Sequence, residues 1–290
     1  MKKSNLVLIP MCIATAIFMM QCLNKNKAVT HTENKNPAMI THKEAVDTLL
    51  KDSTAPVKPL IFKELDAKSA LAFFQKTRLD SLFVEEYNYP DNGFYGDDRY
   101  RIEFLFTEAK QDAKDPSVYH IKGKNRHKKV ITPFEGTIKF NKIRTFTDPN
   151  IDTAEVGAMD MTKLYATEGV FELAEADPKS SYSGLFKGTV KMEFSIGEDN
   201  RPSLWFYSVA NLPSGGGGYR FDGTWTSFTK PDMVKPVVWA ADLFRFANDI
   251  LKDFSMGERE VEINEKYHKL GWDNFWENDE WWNEAAKPKM

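Results

Sequence analysis

The sequence predicts a mainly β protein: an antiparallel sheet that is curled or closed into a β-barrel, with an N-terminal and a C-terminal helix covering it. Three observations predict it. Between residues 99 and 228, apolar and polar residues alternate in successive stretches divided by turn signals such as Asp148-Pro149-Asn150 and Gly197–Pro202. A local pattern (charged residue, Gly, β-branched residue, large apolar residue) recurs at Glu135–Ile138, Glu168–Phe171, Lys187–Val190 and Asp222–Trp225. Two flanking segments instead carry apolar residues at helical spacing.

In chain order, the first element is an address signal. Lys2 and Lys3 precede an uncharged apolar stretch from Leu6 to Met20, too short for a comfortable bilayer span and ordered like a secretory signal. Met19-Met20-Gln21-Cys22 then looks like a bacterial lipobox, although the family pattern prefers Leu three residues before the cysteine and small residues next to it. Residues 1–21 are therefore expected to be a lipoprotein signal peptide, and Cys22 the lipidation site, carrying palmitate-type acyl chains into a membrane. Cys12 lies in the segment that is removed, so the mature chain has no cysteine pair for a disulfide or a thiolate metal site.

Residues 22–60 are rich in Asn, Lys, Thr and Pro, which predicts a flexible spacer. Lys25 and Lys27 stand where surface-displayed lipoproteins carry acidic residues, which places the domain facing the periplasm on the outer membrane. Residues 61–230 are expected to form the helix-plus-barrel domain. Its helix runs from Asp66, a suitable N-cap, to about Arg78. Asn88–Asp98 reads as a turn-rich loop.

Strands are predicted at Arg99–Phe106, Val118–Lys124, Val130–Phe146, Tyr165–Ala174, Leu185–Ile196, Ser203–Ala210 and Tyr219–Phe228. Phe134, Gly136, Ile138 and Phe140 share one face, as do Phe186, Gly188, Val190, Met192 and Phe194. Lys187, Thr189, Lys191 and Glu193 take the opposite, wet face. Inward glycines leave room for strands to bend, and bent antiparallel strands favour closure.

Residues 231–290 are assigned to an amphipathic helix, Val237–Phe254, and an acidic Trp-rich tail packing on the domain. Four of the seven tryptophans, Trp272, Trp276, Trp281 and Trp282, fall in that tail. They either dock it on the barrel or form an exposed strip for a protein or glycan partner.

Two segments resemble a group of uncharacterised lipoproteins and exported proteins of Bacteroidota: FDGTWTSF at Phe221–Phe228 and NEKYHKLGW at Asn264–Trp272. The match covers about a tenth of the chain, implies the address and a β-rich body, and carries no site residue. The architecture also resembles lipocalins and calycins loosely. The lipocalin Gly-x-Trp marks a first strand, whereas Gly223-Thr224-Trp225 lies near the last.

No catalytic, metal or cofactor set is expected. His31 and His42 lie in the spacer, and His120 and His127 flank a basic turn and are expected to face solvent. No HExxH spacing exists. Ser227–Lys230 fits Ser-x-x-Lys without the partner motifs of that chemistry. Gly215–Gly218 reads as a flexible hairpin tip. The formal charge of −3, about −5 once Lys2 and Lys3 are removed, makes nucleic acid an unsuitable partner. The expected role is a non-catalytic binding or accessory lipoprotein of the cell envelope. The alternatives are an enzyme acting on envelope polymers, or a carrier of an apolar small molecule in the barrel.

Overall fold

Strand alternation puts one face of a sheet in an apolar phase and the other in water, and the apolar face has to be buried somewhere. In the computed structural model, one antiparallel sheet curls into a ring around its own apolar face. Residues 60–84, 89–147, 163–206, 212–245, 255–256, 261–262, 265–273, 275 and 280–283 are described. The expected signal peptide at 1–21, Cys22, nearly all of the expected spacer and Trp276 lie outside them.

The elements of the sheet are β1 (Ile61–Glu64), β2 (Asp91–Tyr95), β3 (Tyr100–Gln111), β4 (Val118–His127), β5 (Val130–Thr147), β6 (Leu164–Glu175), β7 (Gly184–Ile196), β8 (Pro202–Leu204), β9 (Tyr219–Ser227) and β10 (Val234–Ala240). From β2 to β7 each strand pairs with the next, β7 pairs with β9, β9 with β10, and β10 returns to β2. β1 and β8 extend the edges of β5 and β7 outside this circuit.

Two devices bend the strands. The register slips between Phe106 and Glu108 and between Phe140 and Lys142, and bulges of this kind increase local twist. Gly188 and Gly223 stand opposite each other in β7 and β9, so close that a Cβ on Gly188 would lie 2.1 Å from the Asp222 carbonyl oxygen. Only glycine fits there.

The interior is aromatic. Trp239 is stacked between Phe104 and Phe221, at ring separations of 4.1 and 4.4 Å, with Phe171 edge-on at 5.1 Å. Such pairs add about 0.5–1.5 kcal/mol each beyond the area they bury. At one end of the ring lies α1 (Ala67–Lys76), present where its spacing predicts. Asp66 caps it, accepting from the Ser69 N–H at 2.9 Å and from the Ser69 hydroxyl at 2.8 Å. Phe73 and Phe74 of α1 reach Tyr165, Phe194 and Phe140, while Phe83 just downstream touches Phe106, Tyr119 and Tyr219.

Several expectations need correction. Val237–Ala240 is not the start of a helix but the end of β10, followed by a short 3-10 turn at Leu243–Arg245; residues 246–254 lie outside the described residues. The apolar spacing misled because Val237-Val238-Trp239-Ala240 is an unbroken apolar run, which periodicity alone assigns to neither strand nor helix. Here β10 satisfies the main-chain groups of two open edges, those of β2 and β9, which a helix would leave bare. Pro236 has no N–H to give to the ladder, and its carbonyl accepts from the Gly96 N–H at 2.8 Å.

Asp91–Tyr95, read as loop, is strand β2. Its turn-forming residues are held by partners on both sides, and Gly93 gives room to Trp239, whose Cβ would be 2.7 Å from a Cβ placed there. Of the expected strand Ser203–Ala210, the described part is strand only at Pro202–Leu204 and not at 205–206; residues 207–211 lie outside the described residues. Gly216–Gly218 are buried rather than a mobile tip, because the Gly218 carbonyl accepts from the Glu193 N–H at 2.8 Å and continues the edge of β7. Glu193 is correspondingly buried, not on a wet face.

Placing a methyl group at Gly188 forces the β7–β9 crossing apart. Gly188→Ala is expected to lower stability by about 3 kcal/mol, the upper part of the range for overpacking, read as a drop in urea midpoint at unchanged slope.

Candidate functional site

The inward positions of a barrel strand are fixed by parity, so the ring collects side chains from many strands around one axis. At the end away from α1, inward residues of seven strands line a cavity of about 430 Å³. Tyr95 comes from β2, Ile102 from β3, Asn125 and His127 from β4, Thr132 from β5, Glu175 from β6, Phe186 from β7 and Trp225 from β9. Tyr182, Lys230 and Met233 from the connecting loops form its rim. Beyond Ile102 and Phe186 the interior closes over: Phe186 meets Phe104 at 5.2 Å, and the Trp239 stack begins.

The polar centre of this mouth is Glu175, 6% exposed. Its carboxylate accepts from the Asn125 amide at 2.6 Å, the Gly184 N–H at 2.8 Å and the Trp225 indole N–H at 2.7 Å. Burial raises its pKa above the ordinary carboxylate value, and the donors from Trp225, Asn125 and Gly184 work against that rise. These bonds also tie the ends of β4, β6, β7 and β9 together.

His127 corrects another expectation. It is not solvent-facing: its ring lies between Tyr95 at 4.4 Å and Tyr100 at 5.1 Å, and its Nε2 is buried without a hydrogen-bond partner. Burial, with Lys128 beside it, pushes its pKa down to about 4, so it is neutral at physiological pH. The turn that follows, Lys128-Lys129, has positive φ at both residues, which costs free energy in a non-glycine pair and holds His127 at the rim. His120, by contrast, is exposed and pairs with Asp112 at 2.8 Å.

The described tail tryptophans, Trp272, Trp281 and Trp282, do not gather at this mouth. Trp272 is fully buried on the outer wall, 5.3 Å from Phe94, and donates its indole N–H to the Arg99 carbonyl at 2.9 Å. It packs with Tyr267, Ala240 and Leu243. Trp281 lies over the Arg126 guanidinium at 5.1 Å and donates to Glu103 at 3.3 Å. That carboxylate is also held by Arg101 at 2.9 Å and Arg126 at 2.6 Å. Trp282 is half-buried and edge-on to Tyr89. A groove of about 540 Å³ runs beside Trp281, but it is an outer-wall feature rimmed by Lys128, Lys129 and Lys269.

Glu193 is the other buried acid. It accepts from the Ser214 N–H at 2.7 Å and bonds the Ser214 hydroxyl. Nine strand residues, roughly 30 Å, separate it along β7 from Gly184, where Glu175 sits. The two carboxyls therefore cannot act together on one bond. Among the described residues no group of three or more His, Cys, Asp or Glu side chains is placed to hold a metal ion.

Asn125, Glu175 and Tyr95 were missed as site residues. A signal existed for the first two: each is a polar residue in the apolar phase of its strand, Asn125 in step with Ile121 and Gly123, Glu175 with Phe171 and Leu173. No protein-family model, curated protein or solved structure matches the chain.

Burial raises the Glu193 pKa from 4.5 to about 7, so the folded state keeps a proton that the unfolded chain releases near 4.5. Its stabilising contribution is complete below pH 4.5 and is lost as pH rises through 7, a change of roughly 3 kcal/mol. Thermal melts between pH 5 and pH 8 should show Glu193→Gln flattening this slope and melting above the parent chain at pH 8. An unchanged slope in the variant would show that Glu193 does not keep its proton.

Proposed function

We propose that the chain is a lipid-anchored protein of the bacterial cell envelope that binds a small, largely apolar ligand in the mouth of its barrel and catalyses no reaction. The observation that carries this reading is the cavity of about 430 Å³, apolar on most of its wall, with a few buried polar atoms converging on it. The plan is lipocalin-like in this reading: α1 stoppers one end of the ring, the aromatic stack fills the middle, and the other end stays open. The Cys22 lipid attaches it to a membrane, with the domain facing the periplasm. Among the described tail tryptophans, a protein or glycan partner would use Trp281 and Trp282, since Trp272 is spent on packing.

An uncharged apolar dye, N-phenyl-1-naphthylamine, should bind the purified chain with one-to-one stoichiometry and blue-shifted emission. Thr132→Trp, which fills the cavity from its wall, should weaken uptake at least about tenfold, the equivalent of ~1.4 kcal/mol. Trp282→Ala should leave it unchanged. The reverse pattern would move binding from the mouth to the tail. For the anchor, Cys22→Ser should lose metabolic palmitate label and leave the membrane fraction; continued membrane recovery without label would mean attachment by other means.

A further inference from the structure

We propose that the ligand of the barrel mouth carries an ammonium group, and that this group is received by the Glu175 carboxylate beside the rings of Tyr95 and Trp225; the inference rests on the mouth being a binding site. Glu175 is 6% exposed, and each of its three donors (Asn125, Gly184 and Trp225) is neutral. A carboxylate offers about four acceptor positions, so room for one more donor remains. No cationic side chain pairs with Glu175 among the described residues, and a buried carboxylate is costly to keep charged without a cation. An incoming ammonium supplies both the missing charge and the missing donor.

The surroundings suit the same group. The Tyr95 ring lies 5.7 Å from that of Trp225 at 67°, a corner of two π-faces of the kind that attracts cations. The neutral His127 ring also packs against Tyr95 at 4.4 Å, and its unpartnered Nε2 is buried. With the ring proton on Nδ1, that atom accepts a hydrogen bond, as an ammonium with several N–H bonds can use. Two acceptors and two aromatic rings therefore line the same cavity, whose lysines among the described residues, Lys128 and Lys230, are exposed.

The rim lysines are the competing influence. Lys128 and Lys230 line the opening and would favour an anion. Both are exposed, and the Lys128 ammonium sits 4.7 Å over the Tyr100 ring. Charges in water are screened over about 8–10 Å and act weakly, whereas Glu175 acts from inside a low-dielectric wall. An anionic ligand would also bring like charge onto Glu175. The buried group decides the sign.

Tryptamine, tryptophol and indole-3-acetate share one apolar ring system and carry a positive, a neutral and a negative head. Calorimetric titration of the full chain should rank tryptamine first, about tenfold tighter than tryptophol, as one charge-assisted hydrogen bond implies, with indole-3-acetate weakest. Glu175→Gln should bring tryptamine down to the level of tryptophol. If that variant fails to fold, Tyr95→Leu, which leaves the three donors of Glu175 in place, should weaken tryptamine more than tryptophol. Equal binding of tryptamine and tryptophol, or preference for indole-3-acetate, with N-phenyl-1-naphthylamine still bound, overturns the ammonium assignment and leaves the apolar site standing. The assignment also falls if the dye binds and no indole displaces it. If neither dye nor indoles bind, the mouth itself is not a binding site.

Discussion

Closure of the ring through β10 is the constraint on which everything else rests. A sheet built on so many inward phenylalanines has an apolar face to hide, and two open edges whose main-chain groups need partners. β10 meets all three needs, bonding β2 on one side and β9 on the other while its Trp239 enters the Phe104–Phe221 stack. Without it the interior opens along its length. The glycines at 93, 188 and 223 belong to the same constraint, since each stands where a neighbouring strand or ring comes too close for a side chain.

Closure also creates the site. Because inward residues of successive strands meet around one axis, Asn125, Glu175 and Trp225 come together from positions fifty residues apart. The two ends then differ in kind. Near α1 the aromatic residues interlock, whereas at the far end the wall residues include polar ones that cannot fill space without a partner. Glu175 serves twice there: its hydrogen bonds tie four strand ends together, and its charge is available to whatever enters. The outer wall has a separate polar centre, Glu103 with Arg101 and Arg126, which the tail covers through Trp281. Trp272, the best-buried of the described tail tryptophans, is a structural wedge.

Much of the barrel was legible in the sequence because its strands alternate cleanly and their turns carry Asp, Pro, Asn and Gly. β3 to β7 and β9 lie close to where alternation puts them. What failed were segments whose conformation depends on neighbours. Asp91–Tyr95 is strand because two strands and Trp239 hold it, although its own residues favour turns. Val237–Ala240 fits either period, and only the open edges beside it decide. Glu193 looked wet because the loop that buries it, through Ser214 and the glycine run, is distant in sequence. Asn125 and Glu175 were the readable part of the site, as polar residues in an apolar phase. The exposure of the tail tryptophans was not readable, since it depends on which wall they meet.

The central claim is that ligand enters the ring at the end opposite α1. It is tested most directly by the indole N–H resonances of the seven tryptophans in an ¹⁵N-labelled chain during titration with N-phenyl-1-naphthylamine. Trp225, whose N–H is bonded to Glu175 at the cavity wall, should shift and saturate with one equivalent, while Trp272 on the outer wall stays still. Movement of Trp281 and Trp282 with Trp225 unchanged would contradict the account and return binding to the tail.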